Sequence, residues 1–236
     1  MKCLLSNIRK KFIQFKGKHR DSRFQVYETG FHGDRYLLAY VDHLMQQVES
    51  FVETGTNVGT TTRYMAKTYP KISIFSCEPD QMAFAYAKKS IRGYDQNVYL
   101  YYMPSPDFLY QVYDDYPMLI PSLNLYWLDA HGYGFKWPLA DEIAFITSRI
   151  DRAIIMIDDS EVPGQPQFQF SKYDGQVCNQ VYIVNALTPE KTYTLGYPTY
   201  TEHTSPHHPL VGWTIIAFGD VQLPGGDNFS FHTLTL

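Results

Sequence analysis

The chain has 236 residues, which is enough for one domain with a full hydrophobic core and short for two. Hydrophobic residues make up 44% of it and charged residues 19%, as in an ordinary soluble globular protein. No apolar run approaches the roughly 18 residues that span a bilayer, and no signal peptide is evident, so the expected location is cytoplasmic.

Cysteine and charge usage narrow the class of protein further. Cys3, Cys77 and Cys178 are widely spaced and match neither a disulfide framework nor a zinc-binding spacing, which fits a reducing compartment. The net charge of −4 combines a basic N-terminus with an acidic remainder. The acidic body argues against broad nucleic-acid binding.

Residues 1–33 are predicted to be a basic arm and linker, and residues 34–236 a single domain. Leu5, Ile8, Phe12 and Phe15 are spaced like one face of a short helix, with Lys and Arg on its other faces. We expect this helix to dock on the acidic domain or on a second subunit, which would give a homo-oligomer. The alternative is that residues 1–16 lie on an anionic membrane surface.

A strand-and-helix alternation follows the arm. The predicted strands cover residues 50–54, 71–77, 98–103, 123–128, 153–157, 192–195 and 213–218. The predicted helices cover residues 34–48, 58–68, 80–92, 107–115, 139–149 and 179–187. This order indicates a doubly wound, Rossmann-like α/β fold with seven mostly parallel strands and one antiparallel edge strand.

A glycine loop follows the first predicted strand, with Glu53, Gly55, Asn57 and Gly59 as its main residues. The two glycines allow a ligand to approach the backbone, and the N–H groups of the next helix can hold a carboxylate. Glu53 can hold a cationic amine, so the loop suits a methionine moiety. The alternatives are a dehydrogenase, whose G-x-G-x-x-G fingerprint is incomplete here, and a loop that only turns the chain.

Two later strand ends extend this site. Glu78 ends the second predicted strand, where an acid can accept both hydroxyls of a ribose. Ser105 follows the third strand, where an adenine ring would reach the next loop.

Taken together, the motifs resemble those of FkbM-type methyltransferases over roughly residues 50–190. They are the glycine loop, Cys77-Glu78-Pro79, Ser105, Asp129-Ala130-His131-Gly132, Trp137-Pro138-Leu139, Glu142 and Ile157-Asp158-Asp159. The resemblance implies the class I methyltransferase fold, with S-adenosylmethionine bound at the carboxyl edge of the sheet. It also implies methylation of a hydroxyl on a sugar, glycan or natural product. The expected cofactor-binding residues are Glu53, Gly55, Asn57, Gly59, Glu78, Ser105 and Asp129.

Three carboxylates follow the fourth and fifth predicted strands. Asp129, Asp158 and Asp159 should converge at the ligand-binding edge, where their mutual repulsion is costly unless a cation is present. Mg²⁺ takes such oxygen ligands, and the pattern is similar to the metal site of catechol- and macrocin-type O-methyltransferases. The alternative is that these acids are helix caps and loop carboxylates without a metal.

Histidines supply the candidate acid–base groups. We expect Asp129 and His131 to be catalytic, with His131 as the general base that takes the proton of a hydroxyl. His131 is equally suited to a structural hydrogen bond before Gly132, and Lys136 is a further candidate. His203, His207 and His208 share the 196–212 loop, for which a solvated or acceptor-facing role is expected in preference to a zinc site.

The main rival to an enzyme is a non-catalytic protein of the same fold that serves as a binding scaffold. The presence of Glu53, Gly55, Gly59 and Glu78 together favours the enzyme, because a scaffold does not need them. Binding of labelled S-adenosylmethionine would discriminate between the two.

Overall fold

The computed structural model describes residues 25–131, 137–173, 175–202, 205 and 208–236. The predicted amphipathic helix of the N-terminal arm lies outside the described residues. So do Lys136, His203 and His207, and their predicted roles remain untested. Within the described ranges, no helix is both long and apolar enough to cross a bilayer.

Helices and strands alternate along most of the chain. The helices are α1 (Arg35–Leu44), α2 (Thr60–Thr68), α3 (Gln81–Ser90), α4 (Ser105–Asp115), α5 (Leu139–Arg149) and α6 (Gln180–Ala186). The strands are β1 (Ser50–Thr54), β2 (Ser73–Cys77), β3 (Val98–Tyr101), β4 (Asn124–Leu128), β5 (Ala153–Ile157), β6 (Lys172–Tyr173), β7 (Gln176–Val177), β8 (Thr192–Pro198), β9 (Thr214–Phe218) and β10 (Phe229–Thr235).

The central sheet has eight strands in the order β10-β8-β9-β5-β4-β1-β2-β3. The strands β1 to β5 are parallel, whereas β9 pairs antiparallel with both β5 and β8, and β10 pairs antiparallel with β8. The predicted doubly wound, mostly parallel sheet is confirmed. Strand order reverses between β1 and β4, the position at which doubly wound sheets open a ligand-binding crevice.

One detail of the predicted sheet is wrong. The sheet has eight strands and not seven, because β10 adds to β8 along the whole of its length. The predicted antiparallel edge strand is present and is β10, while β9 is a second antiparallel strand inside the sheet. Phe229 and Phe231 alternate with polar residues in β10, which is the pattern of a half-buried strand and the signal that was missed.

Helices cover both faces of the sheet, so alternate residues of each central strand belong to different cores. Val52 and Ile155 pack with α4, α5 and α6 on one face. Phe51 and Ile154 pack with α1 and α2 on the other. Every residue of β1, β4 and β5 is buried. This explains why these strands appear in the sequence as near-continuous apolar runs.

Helix starts follow local capping chemistry. The Asp80 carboxylate accepts a hydrogen bond from the Ala83 N–H at 2.8 Å and so caps the start of α3. The second helix begins at Thr60, two residues later than predicted, because Gly59 has a left-handed φ of 81° that cannot continue a right-handed helix.

Candidate active site

The carboxyl ends of four parallel strands are aligned side by side. Thr54 pairs with Cys77 of β2 and with Leu128 of β4, and Leu128 pairs in turn with Ile157 of β5. The residue that follows each strand therefore stands in one row at the same edge of the sheet, namely Glu78, Gly55, Asp129 and Asp158. Neighbouring strands are about 4.8 Å apart, so the row is compact.

Two cavities meet at this edge. Cavity A, of about 290 Å³, is lined by Glu78, Pro79, Pro104, Ser105, Pro106, Ala130, His131, Trp137, Pro138 and Asp141, among others. Cavity B, of about 260 Å³, is lined by Glu53, Thr56, Thr60, Thr61 and Trp127 and by residues of the 25–33 segment. Gly55, Asn57 and Asp129 line both. Together the cavities form one cleft across the end of β1.

The glycines of the loop have different structural roles. Gly55 has a φ of +84°, and a Cβ on it would lie 2.6 Å from the Asp129 carbonyl oxygen. Gly59 has a φ of +81°, and a Cβ there would lie 2.6 Å from Ser90 Oγ of α3. Gly55 therefore allows the loop to pass the end of β4 within the cleft. Gly59 lines neither cavity, and it allows α2 to pack against α3.

Glu78 is held by the backbone at the mouth of cavity A. Its two carboxylate oxygens accept hydrogen bonds from the Asn57 N–H at 2.7 Å and the Asp80 N–H at 2.8 Å. Burial raises its pKa, and these two N–H groups oppose the rise. Each oxygen keeps a second acceptor site, so the carboxylate can still accept two hydroxyls from a ligand in cavity A.

Glu53 lies at the floor of cavity B and is 1% exposed. Its carboxylate accepts hydrogen bonds from Ser76 Oγ and Thr62 Oγ1, each at 2.5 Å. Burial raises its pKa to about 7, although the two hydroxyls lower it. A cationic group entering cavity B would favour the ionised form of this carboxylate.

The segment of residues 25–33, which we call the strap, forms one wall of cavity B. Within it, His32 is left-handed with a φ of 56°, and its Nε2 lies 2.7 Å from Asp158 Oδ2. Sequence reasoning assigned this segment to arm and linker and missed His32. A single histidine between glycines carries no pattern that would have found it.

His131 lies between two acids at the wall of cavity A. Its Nδ1 is 3.4 Å from Asp129 Oδ1, and its Nε2 is 3.5 Å from Asp159 Oδ2. The contact with Asp129 raises the pKa of His131 well above its ordinary value, and the charge of Asp159 adds to the rise. The raised pKa favours the protonated ring, which has no free lone pair with which to act as a general base. The catalytic role of His131 therefore stays a prediction.

The three predicted metal ligands lie at one edge of the sheet, and two of them accept hydrogen bonds from protein side chains. Asp158 accepts from His32, and Asp159 Oδ2 accepts from Ser171 Oγ at 2.8 Å. Across the described ranges, no three His, Cys, Asp or Glu side chains are arranged to hold a metal ion. Mg²⁺ requires near-octahedral oxygen ligands and usually keeps several waters. The arrangement of these side chains does not fit the predicted magnesium site.

A third cavity, cavity C, lies beside these acids. It has a volume of about 380 Å³ and is lined by His32, Asn57, Asp129, His131, Asp158, Asp159, Gln169, Phe170, Ser171, His208, Pro209 and Val211. His32, Asn57, Asp129 and His208 also line cavity B. Cavities B and C therefore share a wall, across which groups bound in the two cavities would face each other.

Comparison with known proteins identifies the architecture. No protein-family model and no curated protein sequence matches the chain. Among solved structures, a Klebsiella pneumoniae protein assigned as an O-methyltransferase aligns with a TM-score of 0.57 and 19% identity, over 77% of this chain and 78% of its own. The O-methyltransferase TomG from Streptomyces achromogenes, solved with S-adenosylmethionine, aligns with a TM-score of 0.55 and 14% identity, over 77% and 78%. An O-methyltransferase from Bacillus cereus, solved with S-adenosylhomocysteine, gives 0.55 and 14%, over 89% of both chains. The chain thus has the fold that these proteins share, the Rossmann-like methyltransferase fold.

Proposed function

We propose that the protein is an S-adenosylmethionine-dependent O-methyltransferase. One observation carries the proposal: cavities A and B meet at Gly55, Asn57 and Asp129, and each contains an acid suited to one half of this molecule. Glu78 serves the nucleoside half in cavity A, and Glu53 serves the amino-acid half in cavity B. The shared fold of TomG and the Bacillus cereus enzyme supports the assignment.

The residues of the cleft have separate tasks. Glu78 accepts the two ribose hydroxyls, Ser105 lies beside the base, and Glu53 attracts the ammonium group. Thr60 and Thr61 line cavity B at the start of α2, where free N–H groups suit the carboxylate. Asp129 lies at the junction of the two halves and places negative charge near the sulfonium.

S-adenosylmethionine supplies a methyl group on a positively charged sulfur. The acceptor oxygen attacks that carbon in line, the carbon–sulfur bond breaks with its electron pair left on sulfur, and the hydroxyl proton is released to bulk solvent. The protein contributes alignment and exclusion of water, with the acceptor placed in cavity C. No step is assigned to magnesium, because no group of side chains among the described residues is arranged to hold a metal ion.

The finer parts of the proposal concern the acceptor. Gln169, Ser171 and Asp159 give cavity C hydrogen-bonding groups along one wall, which suits a hydroxyl-rich sugar, glycan or natural product. The acceptor class and membership of the FkbM type rest on the sequence resemblance as well. A cytoplasmic location rests on bulk composition.

Calorimetry with S-adenosylhomocysteine tests the function. We expect binding with micromolar affinity and no binding of a nicotinamide dinucleotide. Transfer of a labelled methyl group to a panel of hydroxylated acceptors then tests catalysis. Binding without transfer to any acceptor would favour the scaffold alternative, and tight dinucleotide binding would overturn the proposal.

The affinity for S-adenosylhomocysteine should rise with pH between 6 and 8. Glu53 must be ionised to hold the ammonium group, and its pKa of about 7 lies in this range. Ionisation over two pH units around that value corresponds to about a tenfold gain in affinity. Calorimetry at several pH values measures it, and Glu53→Gln is the control that should remove this component. An equal pH dependence in Glu53→Gln would contradict the role of Glu53.

A further inference from the structure

The acids at the ends of β4 and β5 present an electrostatic problem. Asp129, Asp158 and Asp159 lie close together, and burial together with the charge of Asp158 raises the pKa of both other acids. Such a cluster requires positive charge nearby if all three acids are to be ionised. In this protein, the rings of His32 and His131 lie close enough to supply it.

His32 is fixed on Asp158 from outside the sheet. The Nε2–Oδ2 distance of 2.7 Å is that of a charge-assisted hydrogen bond, and the Asp158 side chain is only 2% exposed. The carbonyl oxygen of His32 accepts a hydrogen bond from Ser205 Oγ, and the ring of His208 packs edge-on at 5.1 Å. Several contacts therefore determine the position of this ring.

His131 contacts the other two acids. Its two nitrogens face Asp129 and Asp159 at 3.4 and 3.5 Å, so one ring spans both carboxylates. The two rings thus place a ring nitrogen against each of the three carboxylates.

We propose that His32 and His131 take, on these three carboxylates, the place that a divalent cation would take, and that the methyl-transfer site is organised without a metal. The inference rests on the proposed function. It assigns His32 a positioning role, in which the strap fixes Asp158 at the wall of cavity C. The remaining negative charge favours the cationic sulfonium in the cleft.

One carboxylate oxygen of the cluster could still bind a cation. Asp158 Oδ1 is buried and has no hydrogen-bond partner among the described residues. Metal binding must therefore be measured directly on the full chain, with Mn²⁺ as a paramagnetic probe followed by electron paramagnetic resonance. We expect the parent protein not to bind Mn²⁺ at millimolar concentration. We expect His32→Ala with His131→Ala to bind one Mn²⁺ at least tenfold more tightly, because three carboxylates are then uncovered.

Matched controls separate this effect from unfolding. His43→Ala removes an exposed histidine of α1, outside the three cavities, and should behave like the parent. If His32→Ala does not fold, His131→Ala alone retains the test, because that ring is 42% exposed and its loss is tolerable. It should also tighten Mn²⁺ binding.

Two results would overturn the proposal. The first is tight, stoichiometric Mn²⁺ binding by the parent that Mg²⁺ displaces and Asp158→Asn removes. The second is absence of binding by the parent and by the double variant, since the carboxylates would then be no cation site for the rings to fill. Affinity for S-adenosylhomocysteine, measured separately on the parent, reports on the proposed function and not on the metal.

Discussion

Gly55→Ala is expected to abolish binding of S-adenosylhomocysteine and to lower the free energy of unfolding by about 3 kcal/mol. The new Cβ would lie 2.6 Å from the carbonyl oxygen of Asp129, which belongs to the backbone and cannot rotate away. Relief requires the loop to move away from the end of β4. That movement displaces Asn57, and with it the N–H that holds Glu78. Chemical denaturation and calorimetry measure the two effects.

Gly93→Ala is the matched control for backbone strain. Gly93 has a φ of +92°, close to that of Gly55, but nothing lies within 4 Å of the position a Cβ would take. This variant should lose only about 1 kcal/mol and keep its ligand affinity. Equal losses of stability in the two variants would show that the contact with Asp129 is unimportant. Retained binding by Gly55→Ala would remove the loop from the cofactor site.

Glu78→Gln is expected to weaken binding of S-adenosylhomocysteine by roughly 10- to 100-fold, the range for lost hydrogen bonds to a charged group. The amide has one oxygen that can accept hydrogen bonds, where the carboxylate has two. Its NH₂ group would face the N–H of Asn57 or of Asp80, and two donors cannot form a hydrogen bond. The variant thus loses acceptor capacity for the ribose and one of the contacts that orient the side chain.

A ligand lacking both ribose hydroxyls distinguishes these two losses. If Glu78 contacts the ribose, Glu78→Gln should weaken binding of the dideoxy analogue much less than that of S-adenosylhomocysteine. Glu49→Gln, an exposed acid before the amino end of β1, should change neither affinity. Equal losses for the two ligands would restrict Glu78 to a structural role in the loop.

The central sheet was predictable because its interior strands are apolar runs with sharp ends. The bounds of β1, β5 and α5 agree with the sequence to the residue. The alignment of Gly55, Glu78, Asp129 and Asp158 at one edge also follows from sequence, since parallel strands place their carboxyl ends together. The start of α2 was misplaced because Gly59 permits a conformation that apolar periodicity does not reveal.

The parts that sequence reasoning missed depend on contacts between distant residues. His32 meets Asp158 across 126 positions of the chain, and no local pattern records that contact. The contacts of His131 with Asp129 and Asp159 were not foreseen either. The acids were correctly placed at one edge, but their partners were not foreseen, because the strap and the 196–212 loop have no regular periodicity.

The attachment of the strap bears on the order in which the molecule folds. Asp34, next to the strap, accepts a hydrogen bond from Tyr200 Oη, and His32 accepts one from Ser205, across separations of 166 and 173 positions. Strands β1, β2, β4 and β5 all precede residue 158 and can pair while the ribosome is still making the later part of the chain. Cavity B cannot be completed until His208 has been synthesised. Ligand-binding competence should therefore appear late in folding, after the parallel sheet, as expected for contacts of long sequence separation.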